Sequence, residues 1–414
     1  MDFELKLQQY ARLAIRAGLD VQKGQGVVIE AALEAAPFVR AAAKEAWDAG
    51  ARDVTVLWTD EDLTRLRYQC AEAPLFDTVA DWKVALYNGL AARGDAFLSV
   101  RSGDPAALAG VDPARVAAAG KATHTACEPF YNGMHENKVP WCIVGAASPR
   151  WAKAVFPDVP EQEAMDRLWD AIFQTVRADT PDPVAAWEQH RRSFEKRAAW
   201  LNAQKFTQLY YHNNIGTDIT IGLPDGVQWG GGGGMLTDGR WWFPNMPTEE
   251  IFTAPHRDKV NGTVHSAMPL NHQGSLIDDF SLTFKDGVVT DFTAAKGYDA
   301  LKAILETDEG ARHLGEVALV PVESPISRLG ILFYNTLYDE NASCHFAVGN
   351  AAVAELPAGI TREQMTAWGL NESATHVDFM LGTPDLSITG PRPDGTEVPV
   401  FVNGNWAPGT ELEG

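Results

Sequence analysis

The stretch FSLTFKDGVVTDF, residues 280–292, decides how the second half of the chain folds. Apolar and polar residues alternate on both sides of Asp286-Gly287. An Asp-Gly pair between alternating runs is a strong short-range signal for a two-residue hairpin. A similar turn, Asn403-Gly404, follows the run 398–402, and residues 217–222 alternate as well. Short runs of this kind, joined by Gly and Asn turns, predict a curved, mostly antiparallel sheet.

The first half reads differently. Phe3, Leu7, Tyr10, Leu13 and Ala14 recur at helical spacing, and Gly18 is a fair stop. Residues 27–29, 54–58, 96–100 and 141–145 read as short strands, and 37–49 as a helix ending at Gly50. Helix and strand in alternation predict a mainly parallel sheet covered by helices. From Glu161 to about Lys205 two amphipathic helical pieces meet at the Pro-containing segment 180–183. The expected architecture is an α/β N-terminal domain over residues 1–205 and a C-terminal α+β domain over 206–414. A chain of 414 residues is also long for a single core.

Composition narrows the function classes. Thirteen Trp residues favour large, well-buried cores. The formal net charge of -21 repels nucleic acid and anionic membranes, so neither is expected as a partner. Charges interrupt every apolar run of the N-terminal MDFELKLQQYARLAIRAG, unlike a signal peptide, and no stretch has the length and apolarity of a membrane span. Cys70, Cys127, Cys142 and Cys344 are scattered, with no C-x-x-C pair. That usage fits a reducing, cytoplasmic setting rather than a disulfide framework or a structural zinc knot.

Four places carry candidate chemistry. In ATHVDFML, 374–381, His376 and Asp378 stand two apart, so a strand would turn both to one face. Alone, such a pair is a weak signal. In NTLYDENASCHFAVGNA, 335–351, His345 opens an apolar run, with Asp339 and Glu340 upstream. Cys344 would then face away from His345 and serve packing. In PNMPTEEIFTAPHR, 244–257, Glu249 and Glu250 lie beside Ile251 and Phe252, and an extended backbone turns only one of them inward. A carboxylate among apolar residues must be paired, protonated or metal-bound. In LGEVALVP, 314–321, Glu316 begins an apolar strand. Two His and three carboxylates without a thiolate suit two divalent ions such as Zn, Co or Mn. Such a pair activates a water for hydrolysis. The run Gly230 to Gly234 lacks the following Lys-Ser/Thr of a phosphate loop and reads as a mobile loop, with a place over the site open to it. Neither a G-x-S-x-G elbow nor an H-E-x-x-H helix occurs.

Read in order, several blocks make the chain recognisable. They are VQKGQ at 21–25, DEDLTRLRY at 60–68, PTEEIFTAPHRDKVNGTV at 247–264, SLIDDFSLTFKDG at 275–287, ETDEGARHLGEVALVP at 306–321, FYNTLYDENASCH at 333–345 and HVDFMLG at 376–382. Nearly end to end, the chain resembles the M29 peptidase family, the thermophilic-type aminopeptidases. The resemblance implies two co-catalytic metals, held by Glu250, Glu316, His345, His376 and Asp378. It also implies peptide substrates, a homodimer, and a metal-bearing C-terminal domain. Glu316 or Glu340 is then the proton shuttle. One departure stands out. Family members have a tyrosine seven residues after the His matching His345, and here that position is Ala352, with no Tyr after Tyr338. A phenol there would donate to a developing oxyanion, a contact worth about 2.7–4 kcal/mol at comparable sites. Tyr338 or a metal ion is a candidate substitute for it.

Two alternatives accompany the aminopeptidase reading. The dihydroxypyridine dioxygenases resemble this family but use one Fe(II) on two His and one Asp. Here that triad would be His345, His376 and Asp378. The other is a catalytically weakened member of the family, prompted by Ala352.

Overall fold

The computed structural model describes residues 1–272, 274–354 and 360–410. The chain forms two compact units, Met1–Glu188 with Gly233–Pro247, and Gln189–Gly232 with Thr248–Gly414. The sequence reading set one cut near residue 205. The chain passes from one unit to the other near there, inside the helix Pro183–Gln204. The segment Gly233–Pro247 groups with the first unit, because Asn245–Met246 adds a strand beside Trp141–Gly145.

The first unit is built on a five-stranded, all-parallel sheet. Its order is Asn245–Met246, Trp141–Gly145, Ala96–Arg101, Gly26–Ala32, Asp53–Thr59. Gly26–Ala32 is buried almost throughout, as a central parallel strand covered on both faces should be. Asp53–Thr59 lies at the edge and is correspondingly more exposed. The helix Ala36–Asp48 buries Phe38, Val39, Ala42 and Ala46, one stripe at helical spacing. On another stretch, Tyr87 and Leu90 of the helix Asp81–Arg93 and Phe130 of Glu128–His135 pack with Val28 and Phe97 of the sheet.

The second unit contains a nine-stranded sheet, whose described pairings are antiparallel, and a five-stranded antiparallel sheet. The hairpin Ser275–Lys285/Val288–Lys296 turns at Asp286 and Gly287, whose φ values of 49° and 84° are those the Asp-Gly signal requires. No side chain would fit at Gly287, since a Cβ would stand 1.7 Å from the Arg257 carbonyl oxygen. Asn403 and Gly404 turn the same way, with φ of 51° and 69°.

The five-stranded sheet runs His376–Met380, His345–Gly349, Leu314–Leu319, Ile251–Thr253, Gly230–Gly231. The glycine run, read as a loop from the sequence, therefore enters strand pairings at both ends. Gly230–Gly231 pairs with Ile251 and Phe252, and Gly234–Met235 pairs with Trp241–Trp242. Glycine is required here by close approach, because a Cβ on Gly231 would lie 2.2 Å from the Glu250 carbonyl oxygen. Behind this sheet Phe346 meets Tyr211 at 5.0 Å and Phe379 at 6.2 Å, ring centre to ring centre. Cys344 is buried in the same core, as its predicted packing role requires. Among the described residues, no helix is long and apolar enough to cross a membrane.

Candidate metal centre

Strand parity brings the candidate ligands together. Glu316 pairs with Ala347, and Ala347 with Asp378, in one cross-strand row. His345 faces Ala318 and Met380, two residues along, and Gly349 faces His376. Side chains alternate along a strand, so Glu316, His345, His376 and Asp378 share one face. Phe252 pairs with Ala318 on that face, and Glu250, two residues earlier, falls in step with it. Ala347 carries no more than a methyl group between Glu316 and Asp378, which leaves room for their carboxylates.

The geometry is that of two clusters sharing one carboxylate. Glu250, Glu316 and His345 form the first, and Glu316, His376 and Asp378 the second, each with ligand atoms within 4.8 Å of one another. His345 Nε2 lies 3.0 Å from Glu250 Oε2 and 3.8 Å from Glu316 Oε1. His376 Nε2 lies 3.2 Å from Glu316 Oε2 and 3.3 Å from Asp378 Oδ1. Each oxygen of Glu316 thus addresses a different imidazole. Glu250, Glu316 and His345 are buried, and His376 and Asp378 open toward solvent.

Both rings are aimed from behind. His345 Nδ1 donates to the Ser343 carbonyl at 3.1 Å, and His376 Nδ1 to the Asn350 carbonyl at 2.8 Å. This leaves Nε2 as the unprotonated nitrogen of a neutral ring, and backbone anchors of this kind are common behind metal-ligating histidines. A bare Nε2 lone pair beside carboxylate oxygens is repulsive unless a cation lies between them. The donor set therefore fits divalent ions. In the protein alone, protons take that role. Burial opposes the imidazolium of His345, but Glu250 and Glu316 raise its pKa well above the usual value. His376 is raised likewise, by Asp378 and Glu316 against its burial. Burial works to raise Glu316 as well, yet hydrogen bonds from both imidazoles hold it at about 2. Burial raises Glu250 despite His345.

Glu340 stands outside both clusters. It lines a small cavity with Asp378, Asn271, Asn335 and Met380. Burial first, then the charges of Asp378 and Glu250, push it well above the usual carboxylate range. Neighbouring Asp339 is pushed up to about 7 by burial, although it accepts from the backbone N–H groups of Phe333 at 2.7 Å and Asn335 at 2.9 Å. Those bonds clasp the turn in which Tyr334 takes a left-handed φ of 54°.

Of the acidic pair, Glu250 alone joins a cluster. Glu249 is also buried, contrary to the expectation that only one would turn inward, because a second set of partners receives it. Its carboxylate lies 3.5 Å from His190 Nε2, and its N–H donates to Asn341 Oδ1 at 2.7 Å. Nothing in the sequence marks Asn341 or His190 as supports of this segment. Nor does it mark the carbonyls of Ser343 and Asn350 as ring anchors, since backbone acceptors have no sequence signature. The His345, His376 and Asp378 triad is not gathered at one point, for His345 and Asp378 fall in different clusters. Tyr338 is fully buried and stacks on Phe333 at 4.6 Å. Ala352 is tied beside Glu316, its N–H donating to the Gly315 carbonyl at 3.0 Å.

Fold and donor set define a candidate carboxylate–imidazole metal centre on an antiparallel sheet. The family described as thermophilic metalloprotease (M29) matches residues 3–406, and the chain belongs to that family. It is 45% identical to aminopeptidase AmpS of Bacillus subtilis over 98% of this chain and 99% of that one. It is 43% identical to aminopeptidase T of Thermus thermophilus, again over 98% and 99%. The solved structure of wild-type AmpT from Thermus thermophilus superposes with a TM-score of 0.91 at 41% identity, covering 98% of this chain and all of that one. A 2,5-dihydroxypyridine dioxygenase from Pseudomonas putida shares the fold at a TM-score of 0.53 and 12% identity, covering 98% of this chain and 97% of that one.

Proposed function

We propose that this chain is a metal-dependent aminopeptidase that releases N-terminal residues from peptides. The observation that carries the proposal is the pair of clusters sharing Glu316, in a chain more than two-fifths identical to named aminopeptidases. Glu250 and His345 would hold one divalent ion, His376 and Asp378 a second, and Glu316 both. Zn, Co and Mn suit such donors. Bound there, the ions supply Lewis acidity, polarising the scissile carbonyl and lowering the pKa of water.

The chain's own residues supply the rest. The Ser343 and Asn350 carbonyls fix the imidazole rings. Both oxygens of Glu316 already face imidazoles, which leaves Glu340 as the better proton carrier between attacking water and leaving amine. A homodimer accompanies this reading on the family resemblance, and a cytoplasmic setting on the scattered cysteines.

Hydrolysis of leucine p-nitroanilide, loss of turnover on chelation, and its return with Zn, Co or Mn are the expected results. Absence of turnover with all three metals across a broad peptide panel would overturn the proposal. The weakened-member reading rests on Ala352, placed beside Gly315 and Glu316. It expects low turnover that Ala352→Tyr raises by about 10²–10³, the worth of one oxyanion donor.

A further inference from the structure

A cavity within the first unit is lined by none of the candidate metal ligands. In that unit's parallel sheet, Glu30 pairs with Ser99 and Ser99 with Ile143. Alternation turns these three side chains to one face, with Phe97 and Trp141 two residues below and Arg101 two residues above. The helices Asp81–Arg93 and Glu128–His135 cover that face with Tyr87 and Phe130. They leave a cavity of about 150 Å³ between them and the sheet. A cavity of that size admits a benzene ring.

Its position follows a rule of open α/β sheets. From Gly26–Ala32 the chain moves to Asp53–Thr59 on one side, and then returns to Ala96–Arg101 on the other. Strand order therefore reverses between the strands that carry Glu30 and Arg101. Ligands of such sheets bind outside the carboxyl ends of the strands at this reversal. Glu30 and Arg101 lie toward those ends.

The lining has three chemistries. Aromatic rings form the walls: Tyr87, Phe97 and Phe130 meet pairwise at 5.0–5.8 Å. A carboxylate lies within, where Tyr87 donates its hydroxyl to Glu30 Oε2. Glu30 Oε1 accepts no hydrogen bond among the described residues. A guanidinium, that of exposed Arg101, stands at the rim. Strand spacing sets the Cα atoms of Glu30 and Arg101 about 8 Å apart, too far for backbone contact but within reach of two long side chains around a small molecule.

We propose that this pocket binds a free α-amino acid with an aromatic or large apolar side chain. Its ammonium meets Glu30, its carboxylate meets Arg101, and its side chain lies against Phe97 and Phe130. The ring faces that surround the ammonium add cation–π attraction. Such a molecule is also what an aminopeptidase releases, but the pocket's chemistry stands without that activity.

The test uses the full-length, metal-loaded chain and calorimetric titration with three probes. They are L-phenylalanine, phenethylamine, which lacks the carboxylate, and hydrocinnamate, which lacks the amine. L-Phenylalanine should saturate a site with Kd on the order of 1 mM or tighter. Glu30→Gln keeps an acceptor for Tyr87 and should weaken L-phenylalanine and phenethylamine by about tenfold or more, leaving hydrocinnamate unchanged. Arg101→Gln, at an exposed position that leaves the core intact, should weaken L-phenylalanine and hydrocinnamate and spare phenethylamine. Amino acid bound at the metal centre is indifferent to both substitutions. L-Phenylalanine binding unchanged in both variants, or no saturable binding at all, would overturn the proposal.

Discussion

Single residues differ in burial and in partners at the candidate metal centre, and those differences set what each could do there. Glu316 is the shared carboxylate, whereas Glu340 belongs to neither cluster and faces a cavity. Glu340→Gln should therefore lower kcat by about 10²–10⁴ while the metal content per chain stays the same, as removal of a proton-transfer group does. Loss of metal in that variant would make Glu340 a ligand instead. Asp339 titrates in the opposite sense from most acids. Its pKa of about 7 lies above the 3.8 of an ordinary aspartate, so between those pH values the folded protein holds a proton that the unfolded chain has released. Its contribution to stability is full below about pH 4 and lost as pH rises through about 7. The melting temperature of the wild type relative to Asp339→Asn should fall across that window. A constant difference would show that Asp339 is ionised throughout.

At the scale of strands, the candidate centre depends on a small residue as much as on its candidate ligands. Ala347 separates Glu316 from Asp378 in the cross-strand row and is fully buried. Ala347→Leu should push those carboxylates apart and reduce bound metal, at an overpacking cost of about 1–3 kcal/mol in stability. Metal content equal to the wild type, measured by mass spectrometry, would show that the row is not tightly spaced. The strands that carry the candidate ligands were legible because local pattern governs them. Asp286-Gly287 named its own hairpin, and the apolar runs after His345 and around Glu316 marked buried strands. The glycine run was misread because its sequence says only that side chains are missing. It does not say that the missing side chains admit the backbone of Glu250 and Ile251.

For the molecule as a whole, alternation of helix and strand gave the parallel first sheet, and turn chemistry gave the antiparallel second half. The strand Asn245–Met246 was invisible, since two residues far along the chain carry no periodicity to announce that they join the first sheet. The candidate ligands were legible by type, and their pairing was not. Spacing placed His376 beside Asp378, but the division into two clusters depends on the register of four strands distant in sequence. The central claim is that Glu316 stands between two metal positions. Anomalous scattering from crystals loaded with Zn, recorded on both sides of its absorption edge, tests this directly. Two peaks per chain are expected, one by Glu250 and His345 and the other by His376 and Asp378, with Glu316 between them. A single peak shared by His345, His376 and Asp378, away from Glu250, would contradict it.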